Sequence, residues 1–442
     1  MFEIREKPEM VERAMLVSIY FDPSEAGEKQ AMLDELEDLV SNLGIGIAGK
    51  HLIKSRDMHA KFLCGTGKAQ EVKQLALDCR ADCVVFDNML SPSQQREWER
   101  LIDECVIDRE EVILDIFARR ARTREATLQV ELARMQYSLP RMARMWNHLD
   151  RQGGGSGGGK GGGGAARGEG EKQIEVDRRL ARARIEAIQR ELVLVTRQRA
   201  TQRKERERQA VATAAIVGYT NAGKSSLLSL VSGSEVMARD MLFATLDTTT
   251  RKIELPHGQP LLLTDTVGFI RNLPHRLVEA FKSTLEEAVL ADFLIQVVDA
   301  SDPEAVRHYE TTLEVLGELG AGDKPMIVVL NKVDLVPEER RGALETLLAP
   351  HFSGRVVTMS VKEGNGAGDL LNACVEMLES RVRRARFLIP YTRSDLVAAM
   401  HSEGKVFSTE YVEEGTLLEA VLPVAFYNKL GSFLTDRQPS CS

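Results

Sequence analysis

Residues 214–233 read AAIVGYTNAGKSSLLSLVSG: an apolar run, a glycine turn and an apolar-periodic helical stretch in immediate succession. Within it, Gly218-x4-Gly223-Lys224-Ser225 is a complete phosphate loop in the strand-to-helix setting that the motif requires. The glycines let the backbone curl until successive N–H groups point at phosphates, and the start of the helix adds the positive end of its dipole. Lys224 is expected against the β and γ phosphates. Ser225 is expected to offer its hydroxyl to Mg2+, which takes oxygen ligands in an octahedron shared with phosphate and water. The grip therefore comprises Gly218, Tyr219, Thr220, Asn221, Ala222, Gly223, Lys224, Ser225 and Ser226. This stretch predicts an α/β domain over 211–380, a mostly parallel sheet with helices on both faces and ligand at the C-terminal strand ends.

The phosphate loop alone admits ATP as well as GTP, and the base is decided further along. MIVVLNKVD (326–334) is an apolar run that delivers Asn331, Lys332, Val333 and Asp334 at its end. A carboxylate at Asp334 can accept two hydrogen bonds from guanine, through N1–H and the exocyclic amine. Adenine would leave it unpaired, a loss large enough to discriminate by orders of magnitude. Lys332 is expected along the base plane, and Ser360, Val361 and Lys362, after RVVTM, match a last base-contacting loop.

Two stretches between these elements fit sensors of the γ phosphate. LLLTDTVGF ends in Asp265-Thr266-Val267-Gly268, with a carboxylate to hold a magnesium-bound water and an amide to meet the phosphate. FATLDTTTR (243–251) contributes Phe243, Ala244, Thr245, Leu246 and Asp247. By position Thr245 is the magnesium ligand, with Thr248, Thr249 and Thr250 open as alternatives. Many GTPases carry a glutamine just after the glycine of this sensor, whereas Phe269 stands here and no replacement is visible. Slow intrinsic turnover follows, completed when a partner orders 243–250 and 265–275.

Upstream, AMLVSIY, KFLCGTG and DCVVFDN alternate with helical patterns over residues 14–117, which predicts βαβ units in an N-terminal α/β domain, 1–118. Gly65-Thr66-Gly67-Lys68 lacks the first glycine and the hydroxyl of a phosphate loop and reads as a turn. Residues 119–210 change character. Leu128, Leu132, Met135 and Leu139 form one apolar stripe, interrupted at Pro140, and Ile174, Ala181, Ile185, Ile188, Leu192 and Val195 form another. Between them residues 153–170 are dominated by glycine and cannot bury enough apolar surface to offset ordering. A helical hairpin with a glycine tip and a plain linker both fit.

The chain carries a net charge of -8, yet residues 118–208 hold 22 Lys and Arg against 11 Asp and Glu. That excess suits a surface facing nucleic acid, with Arg178, Arg179, Arg182 and Arg184 as candidate RNA contacts, and equally suits a solvated face. Residues 381–442 complete the chain as a small α+β domain. No stretch reaches the ~18 apolar residues of a membrane span, the start of the chain lacks a secretory pattern, and six scattered cysteines suggest neither disulfides nor a metal site. A cytoplasmic monomer is expected.

GYTNAGKSSLL, FATLDTTTR and DTVGFIRNLPHRLVEAFKSTLEE resemble the HflX family of bacterial GTPases. The likeness extends to FDNMLSPSQQREWE (86–99), to ILDIFARRARTREATLQVELARMQYSLPR (113–141) and to EVDRR (175–179). It also reaches the last sixty residues, through FLIPYTRSDLVAAMHSEGKV and TEYVEEGTLLEAVLP. It implies a GTPase on the large ribosomal subunit that separates stalled ribosomes under stress, with the hairpin on ribosomal RNA. Phe269 in place of glutamine is normal for that family and agrees with partner-stimulated hydrolysis. Residues 153–170 depart from its usual GGIGTRGPGE, being longer and more monotonous. Two alternatives carry different tests: an RNA-binding or assembly factor with a regulatory nucleotide, and a tRNA-modification GTPase, for which a cysteine-bearing C-terminal motif is missing.

Overall fold

The computed structural model describes residues 11–141, 175–195, 211–233, 242–243, 245–246, 248–256, 258–272, 282–348, 355–379 and 382–435. The glycine-rich stretch 153–170, Ile174, Ala244 and Asp247 lie outside them. The chain forms two compact units. One comprises Met1–Leu194, Met241–Phe243 and Arg271–Phe281, and the other Val195–Asp240, Ala244–Ile270 and Lys282–Ser442.

The first unit contains β1 (Arg13–Tyr20), β2 (Gly46–Lys54), β3 (Cys83–Phe86) and β4 (Cys105–Asp108), a parallel sheet in the order β2-β1-β3-β4. Both faces of β1 are covered, which is why its six central residues are buried without alternation. Helices α2 (Thr66–Cys79) and α3 (Pro92–Ile102) pack Val72, Ala76, Trp98 and Ile102 against Met15, Val17 and Phe86. Helix α1 (Ala26–Asn42) lies against β1 and β2 and meets α4 (Arg109–Arg120). The start of α3 follows from its sequence: Ser91 and Gln94 close a capping box and Pro92 occupies the first turn.

KFLCGTG departs from expectation. It is a turn, with Phe62, Leu63 and Cys64 buried beneath it, and the strand next to β1 is GIAGKHLIK instead. A half-buried edge strand with glycine, lysine and histidine among its residues carries little apolar signal, so β2 escapes a pattern search. Gly65 precedes α2 and Thr66–Lys68 form its first turn, so the Gly65–Lys68 stretch opens a helix, with Lys68 paired to Glu71 at 2.6 Å on its surface.

Helix α5 (Arg124–Ser138) and the helix α6 over residues 175–195 form the hairpin. Leu128 and Met135 are buried against Ala181 and Ile188, flanked by Leu132, Leu139, Ile185 and Leu192, so the two sequence stripes are one seam. Arg184 pairs with Glu131 and Arg124 with Glu191, which fixes the two helices as antiparallel.

The second unit is built on six strands: β5 (Ala212–Gly218), β6 (Thr249–Glu254), β7 (Pro260–Asp265), β8 (Phe293–Asp299), β9 (Met326–Asn331) and β10 (Arg355–Thr358). Their order is β10-β9-β8-β5-β7-β6, parallel except for β6, which runs antiparallel to β7. Helices α7 (Lys224–Ser232), α8 (Lys282–Leu290), α9 (Ala305–Glu318), α10 (Glu338–Leu348) and α11 (Ala367–Glu379) complete it. One apolar core unites Ile216, Leu227, Leu263, Ile295, Val329 and Leu370. Strands β11 (Val382–Ile389), β12 (Lys405–Val412) and β13 (Gly415–Pro423) make an antiparallel sheet in the order β11-β13-β12. Helices α12 (Ser394–Glu403) and α13 (Val424–Lys429) pack with it around Phe387, Leu418 and Met400.

Candidate nucleotide site

Strand β5 is central, with β7 on one side and β8 on the other, so the loop after it opens at the point where ligands enter doubly wound sheets. Gly218 adopts φ +143°, and a Cβ there would lie 2.3 Å from the Val297 carbonyl oxygen of β8. Gly223, at φ +98°, would place a Cβ 2.3 Å from Asn331 Nδ2. Gly218→Ala is therefore expected to cost about 3 kcal/mol, combining backbone strain with a clash against main chain that cannot yield. Denaturant unfolding without nucleotide measures it.

Lys224 opens α7 with its side chain buried, and Nζ donates to the Tyr219 carbonyl at 2.6 Å. Burial pushes its ammonium down to about 8, against which the charge of Asp265 acts. Asp265 itself is raised above the ordinary carboxylate range by burial, opposed by Lys224 and by the hydroxyls of Ser225 and Thr245.

Those hydroxyls mark the metal corner. Ser225 Oγ and Thr245 Oγ1 donate to Asp265 Oδ2 at 2.6 and 2.8 Å, and the two hydroxyl oxygens are 2.5 Å apart. Two protons are shared among three oxygens, and Asp265 Oδ1 is buried with no hydrogen-bond partner among the described residues. Three crowded hard donors and one orphaned carboxylate oxygen fit a small divalent cation that keeps some of its water. Of the four threonines, Thr245 is the one in this corner: Thr249 and Thr250 belong to β6, and Thr250 Oγ1 lies 2.9 Å from Thr264 Oγ1.

At the other end, Asn331 closes β9 with both ends of its amide bonded to protein. Nδ2 donates to the Ala222 carbonyl at 2.9 Å and Oδ1 accepts from the Val361 amide at 3.0 Å, tying the phosphate loop to the 360–362 loop. Lys332 stands at φ +61°, with Nζ 2.7 Å from Asp299 Oδ2. Asp334 lies half-buried in the turn Val333–Leu335 and makes no side-chain hydrogen bond among the described residues. Ser360 Oγ accepts from the Glu363 amide at 3.2 Å, and Lys362 is exposed. Such a carboxylate, flanked by a lysine stem and a loop of amides, can accept paired donors from the edge of a base.

Several residues expected to touch nucleotide have their side chains committed elsewhere. Phe243 is buried edge-on to Phe117, ring centroids 4.7 Å apart, and Asn42 Nδ2 donates to the adjacent Leu242 carbonyl. Leu246, Val267 and Val333 are buried, and Thr266 Oγ1 donates to the Ile216 carbonyl at 2.7 Å. Tyr219 stacks on His308 of α9 at 3.7 Å and 8°. The side chains of these residues are thus taken up within the protein. Phe269 is likewise buried, its amide donating to the Gly218 carbonyl at 3.1 Å and its carbonyl accepting from the Thr220 amide at 2.8 Å.

Asp299 and His308 were not legible as site residues. Asp299 had a signal: it ends the apolar run FLIQVVD, and the β8–β9 register sets it directly beside Asn331. His308 had none, since its stack depends on how α9 packs on β5.

This fold and site define a P-loop GTPase domain carried with an N-terminal α/β sheet, a helical hairpin and a small antiparallel α+β sheet. Family models match in series: "GTP-binding GTPase N-terminal" over 30–118, "GTP-binding GTPase Middle Region" over 120–206, and "50S ribosome-binding GTPase" over 213–332. The chain is 98% identical over 437 residues to the GTPase HflX of Akkermansia muciniphila, covering 99% of this chain and 100% of the relative. It is 39% identical to the GTPase HflX of Escherichia coli strain K12, covering 95% of each. A GTP-binding protein of Sulfolobus solfataricus solved with GDP aligns at TM-score 0.43 and 23% identity, over 84% of this chain and 99% of that one. The chain belongs to the HflX family of GTPases.

Proposed function

We propose that the chain hydrolyses GTP to GDP and phosphate, with Mg2+ as cofactor, and does so on the large ribosomal subunit, separating stalled ribosomes under stress. The observation that carries the hydrolytic half is the meeting of Ser225, Thr245 and Asp265 beside the buried Lys224. Magnesium, when bound, neutralises charge on the β and γ phosphates. Ser225 and Thr245 would hold it directly and Asp265 through water. Lys224 and the loop amides bind the phosphates, the Gly268 amide meets the γ phosphate, and Asp334 accepts the donors of guanine while Asn331 holds the two loops in register. Phe269, buried, orients no water, so the unstimulated reaction is slow.

The ribosomal half rests on kinship with the family and on the charge of the hairpin. Among the candidate RNA contacts, Arg179, Arg182 and Arg184 are exposed and Arg178 is half-buried, and Arg184 is held by Glu131 at 2.8 Å. Reversing Arg184 would set two carboxylates together across the hairpin, so the informative variant reverses Arg178, Arg179 and Arg182 only. It is expected to weaken cosedimentation with large subunits by about tenfold or more and to flatten its salt dependence, since counterion release scales with phosphate contacts. Unchanged cosedimentation would leave the hairpin a solvated surface. Purified large subunits are expected to raise GTP turnover at least ~100-fold over the free rate, the order a partner can supply. No stimulation by subunits that nonetheless bind would favour an RNA-binding factor with a regulatory nucleotide.

A further inference from the structure

We infer that the hydroxyl of Thr220 donates a hydrogen bond to the terminal phosphoryl group, serving as a catalytic contact from the phosphate loop itself; the inference rests on the guanine-nucleotide reading of this site. In hydrolysis the water oxygen bonds to the γ phosphorus as the bond to the β–γ bridging oxygen breaks. The electron pair leaves with GDP and the water's protons pass to phosphate and solvent. Thr220 O–H would stabilise charge on an equatorial oxygen, giving up no proton and taking none.

Three observations lead there. Thr220 is 7% exposed, yet its Oγ1 is buried and has no hydrogen-bond partner among the described residues. A buried hydroxyl left unpaired destabilises, and valine would fill the same volume without that cost, so the arrangement is that of a donor awaiting a ligand. The only other orphaned side-chain oxygen of the site that the described residues show is Asp265 Oδ1, which the metal corner explains.

The main-chain amide of Thr220 is also already spent, donating to the Phe269 carbonyl at 2.8 Å. A phosphate-loop residue that cannot offer its N–H to phosphate retains its side chain as a donor. The third observation places the residue, through its Cα and its methyl carbon, beside the glycine and the lysine. A Cβ added to Gly268 would lie 2.9 Å from Lys224 Nζ, 2.9 Å from Thr220 Cα and 2.9 Å from Thr220 Cγ2. The ammonium, the bare glycine and the threonine thus converge on one corner. The first two are the groups that grip the γ phosphate, and Phe269, buried beside them, contributes no polar group from its side chain.

Thr220→Val removes the hydroxyl at constant shape and Thr220→Ser retains it. Single-turnover GTP hydrolysis by the full chain, with and without purified large ribosomal subunits, is compared with GDP affinity for each. The valine variant is expected to slow the chemical step at least ~10-fold more than it weakens GDP binding, with serine within about threefold of the parent on both readouts. Hydrolysis by the valine variant at the parental rate would overturn the inference. So would a loss of GDP affinity that matches the loss of rate, or a serine variant as slow as valine. The parent's own GDP affinity and turnover report separately on the nucleotide reading, because only the ratio between the variants depends on the hydroxyl.

Discussion

Replacing Lys224 by alanine is expected to weaken GTP and GDP binding by at least ~100-fold, because it removes a desolvated cation that two phosphates share. The side chain is buried and its ammonium is held by the Tyr219 carbonyl, so in the nucleotide-free protein the charge is only partly compensated. Its pKa of about 8 records that cost. Since the folded value lies below the unfolded one, the unfolded chain binds more protons between pH 8 and ~10.5, and this group's penalty is complete below pH 8 and relieved as pH rises towards ~10.5. Phosphate reverses the balance by favouring the charged form. Nucleotide binding is therefore expected to take up protons near pH 8 and to weaken as pH rises past it, an effect absent from the alanine variant. Calorimetric titration in buffers of different ionisation enthalpy measures the uptake. Unchanged affinity of Lys224→Ala would refute the assignment, and its thermal unfolding without nucleotide distinguishes lost binding from lost folding.

Asp334→Asn is expected to exchange the base preferred. The carboxylate makes no side-chain hydrogen bond among the described residues, which leaves both oxygens for the N1–H and exocyclic amine of guanine. An amide can accept one of those bonds but sets its NH2 against the other donor, so GTP affinity is expected to fall ~100-fold or more. Xanthine carries a carbonyl at C2 where guanine carries the amine, and the same NH2 can donate to it. Competition between GTP and xanthosine triphosphate measures the exchange. A variant that still prefers GTP would move base recognition to another group.

Much of this site was legible in the sequence because phosphate and guanine chemistry restrict residue types at fixed places after apolar strands. Gly218, Gly223, Lys224, Ser225, Asp265 and Asn331 stand where the spacing put them, and the hairpin seam followed from two stripes of matching period. What escaped did so for physical reasons. Strand β2 is a half-buried edge with two glycines and a weak apolar pattern, while the apolar residues of KFLCGTG fill a core from a turn. Phe243 buries its ring against Phe117, a packing partner that its place in the sequence does not reveal. The stack of Tyr219 on His308 joins distant segments through helix packing, which no local pattern encodes.

The amide of Asn331 has a mechanical corollary. A single side chain fastens the Ala222 carbonyl on one loop and the Val361 nitrogen on the other, so the two ends of the cradle cannot relax independently. Strain placed on either loop is therefore expected to reach the other through that one amide.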